Sequence, residues 1–298
     1  MLTAIIAVTL SVPDLSTAQA AYADALGYRV ADEGVVSQEL ADGWNAPRIV
    51  GRRYALLQPA SGAPTYLRLV QSPPVAGFAA MKTHGWNSNE ILVQDPDALA
   101  ASFAGSPFRV VGEPKPLSTN PKVRAMQALG PAGEMNYFTH IPASGSVFIK
   151  SRAQSFVDRS FIVVLGGPSM AAMQAFYRDV LGAPVTEPVA AEINVLQDAW
   201  GLPPDTKSQL ALVNFSTSFA IELDEYPPQA QPRPRRDGEL PPGMAMVSFV
   251  VPSLDARPLP WVVPPTARPE APYAGRRAGL LIGAAGEWIE LVEAAPRP

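Results

Sequence analysis

Gln174-Ala175-Phe176-Tyr177-Arg178-Asp179-Val180-Leu181-Gly182 decides the fold, because a second version of it, Ala21-Tyr22-Ala23-Asp24-Ala25-Leu26-Gly27, stands near the other end of the chain. The shared pattern Tyr-x-Asp-x-Leu-Gly recurs 155 positions apart in 298 residues. Each copy closes a run with apolar residues at helical spacing, ends on a glycine suited to a helix C-terminus, and follows an alternating segment that reads as a strand. Two further anchors repeat at nearly the same offset. Asp198-Ala199-Trp200 answers Asp42-Gly43-Trp44 at 156 positions, and 277–287 (Arg-Ala-Gly-Leu-Leu-Ile-Gly-Ala-Ala-Gly-Glu) aligns without a gap on 124–134 (Arg-Ala-Met-Gln-Ala-Leu-Gly-Pro-Ala-Gly-Glu), 153 earlier. Three independent anchors at one spacing predict an internal duplication.

Around these anchors the chain reads as four passes of one unit. Ile6, Val8, Leu10 and Val12 alternate with small or polar residues, which predicts a strand with one core face. A helix to Leu26, with Ser16 as its cap, a second strand from Tyr28, a short helix within 36–44 and strands at 54–58 and 65–71 complete the first β-α-β-β-β module. Strands at 88–93, 108–111 and across the 124–140 hairpin, with a helix at 97–104, make the second. Residues 142–158, with Ser144, Gly145 and Ser146, read as a connection between halves. A strand at 160–165, the helix ending at Gly182, the short helix ending at Trp200 and a hairpin at 209–225 make the third. The fourth starts at 246–251, and Pro258 and Pro260 erode its helix. The expectation is an α+β protein of two halves, 1–141 and 156–298, each an open cup of two modules.

Composition narrows the partners. With 47% hydrophobic and 17% charged residues the balance is globular, and a net charge of −4 argues against a nucleic-acid ligand. There are no cysteines, so thiolate nucleophiles, thiolate metal sites and disulfides are all excluded. No apolar run is long enough to span a membrane and the N-terminal segment lacks a basic start, so the expectation is a cytoplasmic protein, monomer or homodimer, acting on a small molecule. The 33 prolines fall between elements as stiff loops, and Arg233, Arg235 and Arg236 read as a solvated stretch of one of them.

Four such modules, with Phe176-Tyr177-Arg178-Asp179-Val180-Leu181-Gly182 and Gly-x-x-Gly-Glu hairpins, resemble the vicinal oxygen chelate superfamily of glyoxalase I, bleomycin-resistance proteins and extradiol dioxygenases. The resemblance implies paired modules forming half-barrel cups, with the ligand on the concave face. It also implies metal ligands on the first and last strand of a module. Those positions are here Ala7, Ser88, Ile162 and Met246, and Arg68, Tyr137, Glu222 and Glu290. No histidine stands at any of them, so no cofactor and no metal is expected, Glu222 and Glu290 being the only candidate metal ligands. The first-half cup would instead carry Thr9, Arg68, Ser88, Glu90 and Tyr137, with His84 and Trp86 at its rim. Arg68 with Thr9, Ser88 and Trp86 would hold a substrate, and His84, Tyr137 and Glu90 would move protons; the bland alternative is an Arg68–Glu90 pair that satisfies itself. Trp44 and Trp200 read as equivalent core plugs. The leading function is a metal-independent lyase or isomerase acting on a small carbonyl or aromatic compound. A non-catalytic binder of bleomycin-resistance type is the rival, and an extradiol-type dioxygenase ranks third.

Overall fold

The computed structural model describes residues 2–117, 120–143 and 149–295; Ser144, Gly145 and Ser146 of the expected connection lie outside them. The first module comprises β1 (Ala4–Val12), α1 (Leu15–Leu26), β2 (Arg29–Val35), α2 (Gln38–Gly43), β3 (Arg53–Gln58) and β4 (Tyr66–Gln71). The second comprises β5 (Gly85–Val93), α3 (Pro96–Ser102), β6 (Arg109–Pro116), β7 (Arg124–Leu129) and β8 (Met135–His140). The third holds β9 (Val157–Gly167), α4 (Met170–Ala175), β10 (Val189–Ala191), α5 (Asn194–Trp200), β11 (Ser208–Asn214) and β12 (Ala220–Glu225). The fourth has strands only: β13 (Gly243–Val251), β14 (Val263–Ala267), β15 (Arg277–Ile282) and β16 (Trp288–Glu293). Asp14, not Ser16, caps α1, its carboxylate accepting from the Thr17 amide at 2.9 Å, and Gly27 ends it at φ 70°. The equivalent helix α4 runs into a π-helical turn over Phe176–Val180.

Two open eight-stranded sheets result, in the orders β14-β15-β16-β13-β1-β4-β3-β2 and β10-β11-β12-β9-β5-β8-β7-β6. Each sheet therefore joins one module from either half of the chain. The first and fourth modules meet through antiparallel β1 and β13, the second and third through antiparallel β5 and β9. This corrects the expectation that each half of the sequence makes its own cup. Period-two alternation fixes the buried face of a strand but not its partner.

A continuous core lies between the sheets. Val8, Leu10, Leu67 and Leu69 of the first sheet and Ile91, Val93, Val163 and Leu165 of the second share it with the buried faces of α1, α3 and α4. The intervening residues point the other way, into the cups, as period-two alternation requires.

The repeated sequence marks meet across this core. The Tyr22 hydroxyl donates to Glu134 Oε1 at 2.7 Å, and the Tyr177 hydroxyl donates to Glu287 Oε1 at 3.1 Å. Each glutamate also accepts an amide of its own turn, from Ala132 and Ala285 respectively. A Cβ on Gly130 or Gly283 would fall within 2.0 or 1.9 Å of these carboxyl groups, so the first glycine of each Gly-x-x-Gly-Glu turn makes room for its glutamate. Both pairs span from one sheet to the other.

Trp44 and Trp200 are not equivalent plugs. Trp44 is buried, whereas Trp200 is half-buried, with its indole N–H on the Met81 carbonyl at 2.9 Å and the Lys82 ammonium 4.6 Å from its ring centroid.

Candidate active site in the second cup

The structure divides the expected site residues between two cups of opposite character. In the first sheet β1 and β4 run parallel with Thr9 opposite Arg68, and β13 and β16 place Ser248 opposite Glu290. In the second sheet Glu90 faces Tyr137 and Val164 faces Glu222. The residues across from the last-strand positions are thus two beyond Ala7, Ser88, Ile162 and Met246, on the same face.

The first cup is filled by its own side chains. Glu290, fully buried, accepts from Arg268 Nη1 at 2.7 Å, from the Tyr273 hydroxyl at 2.9 Å, from Trp44 Nε1 at 3.1 Å and from Ser248 Oγ. Arg68 lies 3.9 Å from the same carboxylate, donates to Thr9 Oγ1 at 3.3 Å, and has its guanidinium 4.8 and 5.2 Å from the ring centroids of Trp44 and Tyr273. Arg68 pairs with Glu290, not Glu90, which belongs to the other sheet. Arg68 and Thr9, expected to hold a substrate, are thereby walled in: Arg68 is 1% exposed. Loop residues Arg268 and Tyr273, which close this cup, carry no periodic signal in the sequence and were not legible there.

The second cup is open and acidic. A cavity of about 280 Å³ is lined by Glu90, Tyr137 and Glu222, with Gln127 beside them and Lys115 and Glu192 at the mouth. Ser88 lies on the same face, its hydroxyl against Met81 Sδ at 3.5 Å. Asp224, two residues past Glu222 and so on the same face of β12, is fully buried with neither carboxyl oxygen hydrogen-bonded. Asp224 is not among the residues expected from the sequence, although Glu222-Leu223-Asp224 carries the period-two signal that finds it. Among the described residues Glu90 accepts only from Thr139 Oγ1, and the buried Tyr137 hydroxyl, beside Ser88, has no hydrogen-bond partner of regular geometry.

Burial raises the three inner carboxyls of this cup. Glu90 is pushed up to about 7 despite the Thr139 bond. Asp224 rises to about 8 through burial and the Glu90 charge, and Glu222 stands well above the carboxylate range through burial and the charges of Asp224 and Glu90. The Tyr137 hydroxyl is raised by burial and then by Asp224 and Glu222. Carboxyls raised in this way are able to hold a proton near neutral pH, the condition under which one group serves as acid and a neighbour as base. Stability should follow. A carboxyl whose folded pKa is raised contributes fully below its unfolded value of about 4, and this contribution is lost as pH rises through about 7 to 8. Melting temperature is therefore expected to fall between pH 5 and pH 8, and Asp224→Asn to flatten the fall. A wild-type curve rising over that window, or one unaltered in the variant, would contradict the assignment.

His84 and Trp86 are not at the rim of this cup. Trp86 is buried in the core, its indole N–H on the Trp288 carbonyl at 2.7 Å. His84 is half-buried in a separate cleft with Arg233, Arg235 and Trp288, and is lowered by burial and then by the Arg233 charge. Arg233 is not a solvated loop residue either: its guanidinium donates to the carbonyls of Trp86 and Met244, and burial lowers it to about 10.

A metal at the positions the family resemblance implies does not fit the donors present. The carboxylate of Glu290 is occupied by two hydroxyls, an indole and a guanidinium. Glu222 stands opposite Val164, and among the described residues no three His, Cys, Asp or Glu side chains converge as a metal-binding group. Among these residues, too, no helix is long and apolar enough to cross a membrane.

No protein-family model matches the chain, and no curated protein matches it in sequence. Its likeness to solved structures is in the fold. Glyoxalase I from Zea mays superposes with a TM-score of 0.61 at 15% identity, over 97% of this chain and 92% of that one. A putative dioxygenase from Bacillus subtilis subsp. subtilis str. 168 superposes with a TM-score of 0.63 at 10% identity, over 99% and 86%. The duplicated modules, the open cups and these superpositions together establish the fold as that of the vicinal oxygen chelate superfamily.

Proposed function

We propose that the protein is a metal-independent enzyme of lyase or isomerase type that moves protons on a small, partly apolar carbonyl or aromatic compound in the second cup. One observation carries this reading: Glu90, Glu222 and Tyr137 line one cavity of about 280 Å³, with Asp224 beneath them. A carboxylate of the cluster removes a proton next to the substrate carbonyl, a protonated neighbour donates one to the oxygen, and the Tyr137 hydroxyl orients that oxygen. Arg68 and Thr9 support the other sheet, and His84 takes no part.

The test is solvent exchange. Hydroxyketones incubated with the protein in deuterium oxide should lose the signal of the proton beside the carbonyl. Glu90→Gln and Glu222→Gln should each slow this by about 100-fold or more, the usual worth of a general acid or base, and chelator should leave it unchanged. Exchange that survives both substitutions, or that chelator abolishes, would defeat the proposal. A second reading, sequestration without turnover, is favoured by an adjoining apolar groove of about 580 Å³ that includes Phe78, Met81, Val111, Leu129 and Met135 and shares Val195 with the cavity. Binding without exchange would select it.

A further inference from the structure

The two cups differ by one charge-bearing exchange. At the equivalent last-strand positions the first cup has Arg68 and Glu290, the second Tyr137 and Glu222. In the first, the protein supplies its own cations, Arg68 and Arg268, to a buried carboxylate, with the Arg68 guanidinium over the Trp44 and Tyr273 rings. In the second, Glu90 and Glu222 line one small space with the buried Asp224 behind them, and among the described residues no arginine or lysine pairs with any of the three. Around the same space stand Tyr137 from β8, Gln127 from β7, Glu192 before α5, and Lys115 from β6, whose ammonium is engaged with Asn194 Oδ1 at 2.7 Å, with Tyr226 near Asp224. An uncompensated buried acidic cluster is costly, and such groups ordinarily carry a partner. A separate observation points to the same space: Tyr137, 8% exposed, lines the cavity, and its buried hydroxyl, beside Ser88, has no hydrogen-bond partner of regular geometry.

We infer that the ligand of the second cup carries an organic cation, an ammonium or amidinium group on an apolar body. Its N–H groups donate to Glu222 and the Tyr137 hydroxyl, its charge offsets the carboxyl cluster, and its apolar part lies toward Val195 and Met135, as the Arg68 guanidinium lies among rings in the first cup. The inference rests on the second cup being the functional site and adds the charge of what it accepts.

Three shape-matched probes test it: phenethylamine, 2-phenylethanol and phenylacetate, measured by thermal shift and by calorimetric titration at pH 7. Phenethylamine should raise the melting temperature and bind at least about tenfold more tightly than the alcohol, the ratio that one hydrogen bond to a charged group confers, and phenylacetate should not bind. The amine preference should disappear in Glu222→Gln and in Asp224→Asn, which keep the side-chain shape and should fold at least as well as wild type. Equal binding of amine and alcohol, an amine effect that persists in both variants, no binding of any probe, or the same shift from magnesium chloride alone would each overturn the inference. Carbonyl exchange without amine binding would sink it and leave the proposed function standing; amine binding without exchange of any carbonyl compound would do the reverse.

Discussion

Replacing Glu290 with leucine is expected to destabilise the protein by about 3–5 kcal/mol, the cost of removing one partner from a buried ion pair. The carboxylate is the single acceptor on which the first cup converges: Arg268, Tyr273, Trp44 and Ser248 all donate to it, and Arg68 stands 3.9 Å away. Its loss leaves two guanidinium groups inside an otherwise apolar cup formed by residues such as Leu280, Met246 and Trp288. Urea unfolding of Glu290→Leu, compared with the triple variant Arg68→Leu, Arg268→Met, Glu290→Leu, separates charge from packing. The triple variant should recover most of the loss, because well-packed apolar side chains can replace a buried charge network at little cost. A loss below about 1 kcal/mol in the single variant, or no recovery in the triple, would show that the cup is not held by this carboxylate. In the second cup the corresponding Glu222→Gln is expected to be neutral or stabilising, since no cation there depends on it.

Cutting the chain between residues 143 and 149 should yield two fragments that do not fold separately but reassemble on mixing. Each fragment would hold two modules that belong to different sheets, so β1 would lose β13 and β5 would lose β9 at the centre of their sheets. The exposed inner strands offer long unpaired edges of apolar residues such as Val8, Val163 and Val247, a state that aggregates rather than persists. Circular dichroism and size exclusion of each fragment and of the mixture decide the matter. Two well-folded isolated fragments would contradict the cross-half pairing, whereas a mixture that regains the intact chain's spectrum and elution would support it.

The modules and the orientation of their strands were legible in the sequence, for a physical reason visible at single residues. Leu67 and Leu69 flank Arg68, and Ile289 and Leu291 flank Glu290, so alternation alone sends the charged residue away from the helices. What alternation cannot supply is partnership between strands distant in the chain. That is why Arg68 was grouped with Glu90 and Tyr137, when the fold groups it with Glu290, nearer the far end of the chain. Trp86 illustrates a second limit. An indole in a glycine-flanked stretch reads as a loop residue at a rim, whereas β5 begins at Gly85 and takes Trp86 into the core. Asp224 was within reach of period-two reasoning; Tyr273 and Arg268, delivered by a turn-rich segment, were not.

The two tyrosine–glutamate bonds give the duplication a definite unit of inheritance. Tyr-x-Asp-x-Leu-Gly occurs only in the first and third modules and Gly-x-x-Gly-Glu only in the second and fourth, so neither mark is a property of the module as such. They are the two ends of one bond, Tyr22 to Glu134 and Tyr177 to Glu287. The stretch that was copied must therefore have been a pair of modules already joined by that bond, and in each descendant half a change at the tyrosine alters the selective worth of the glutamate more than a hundred residues downstream.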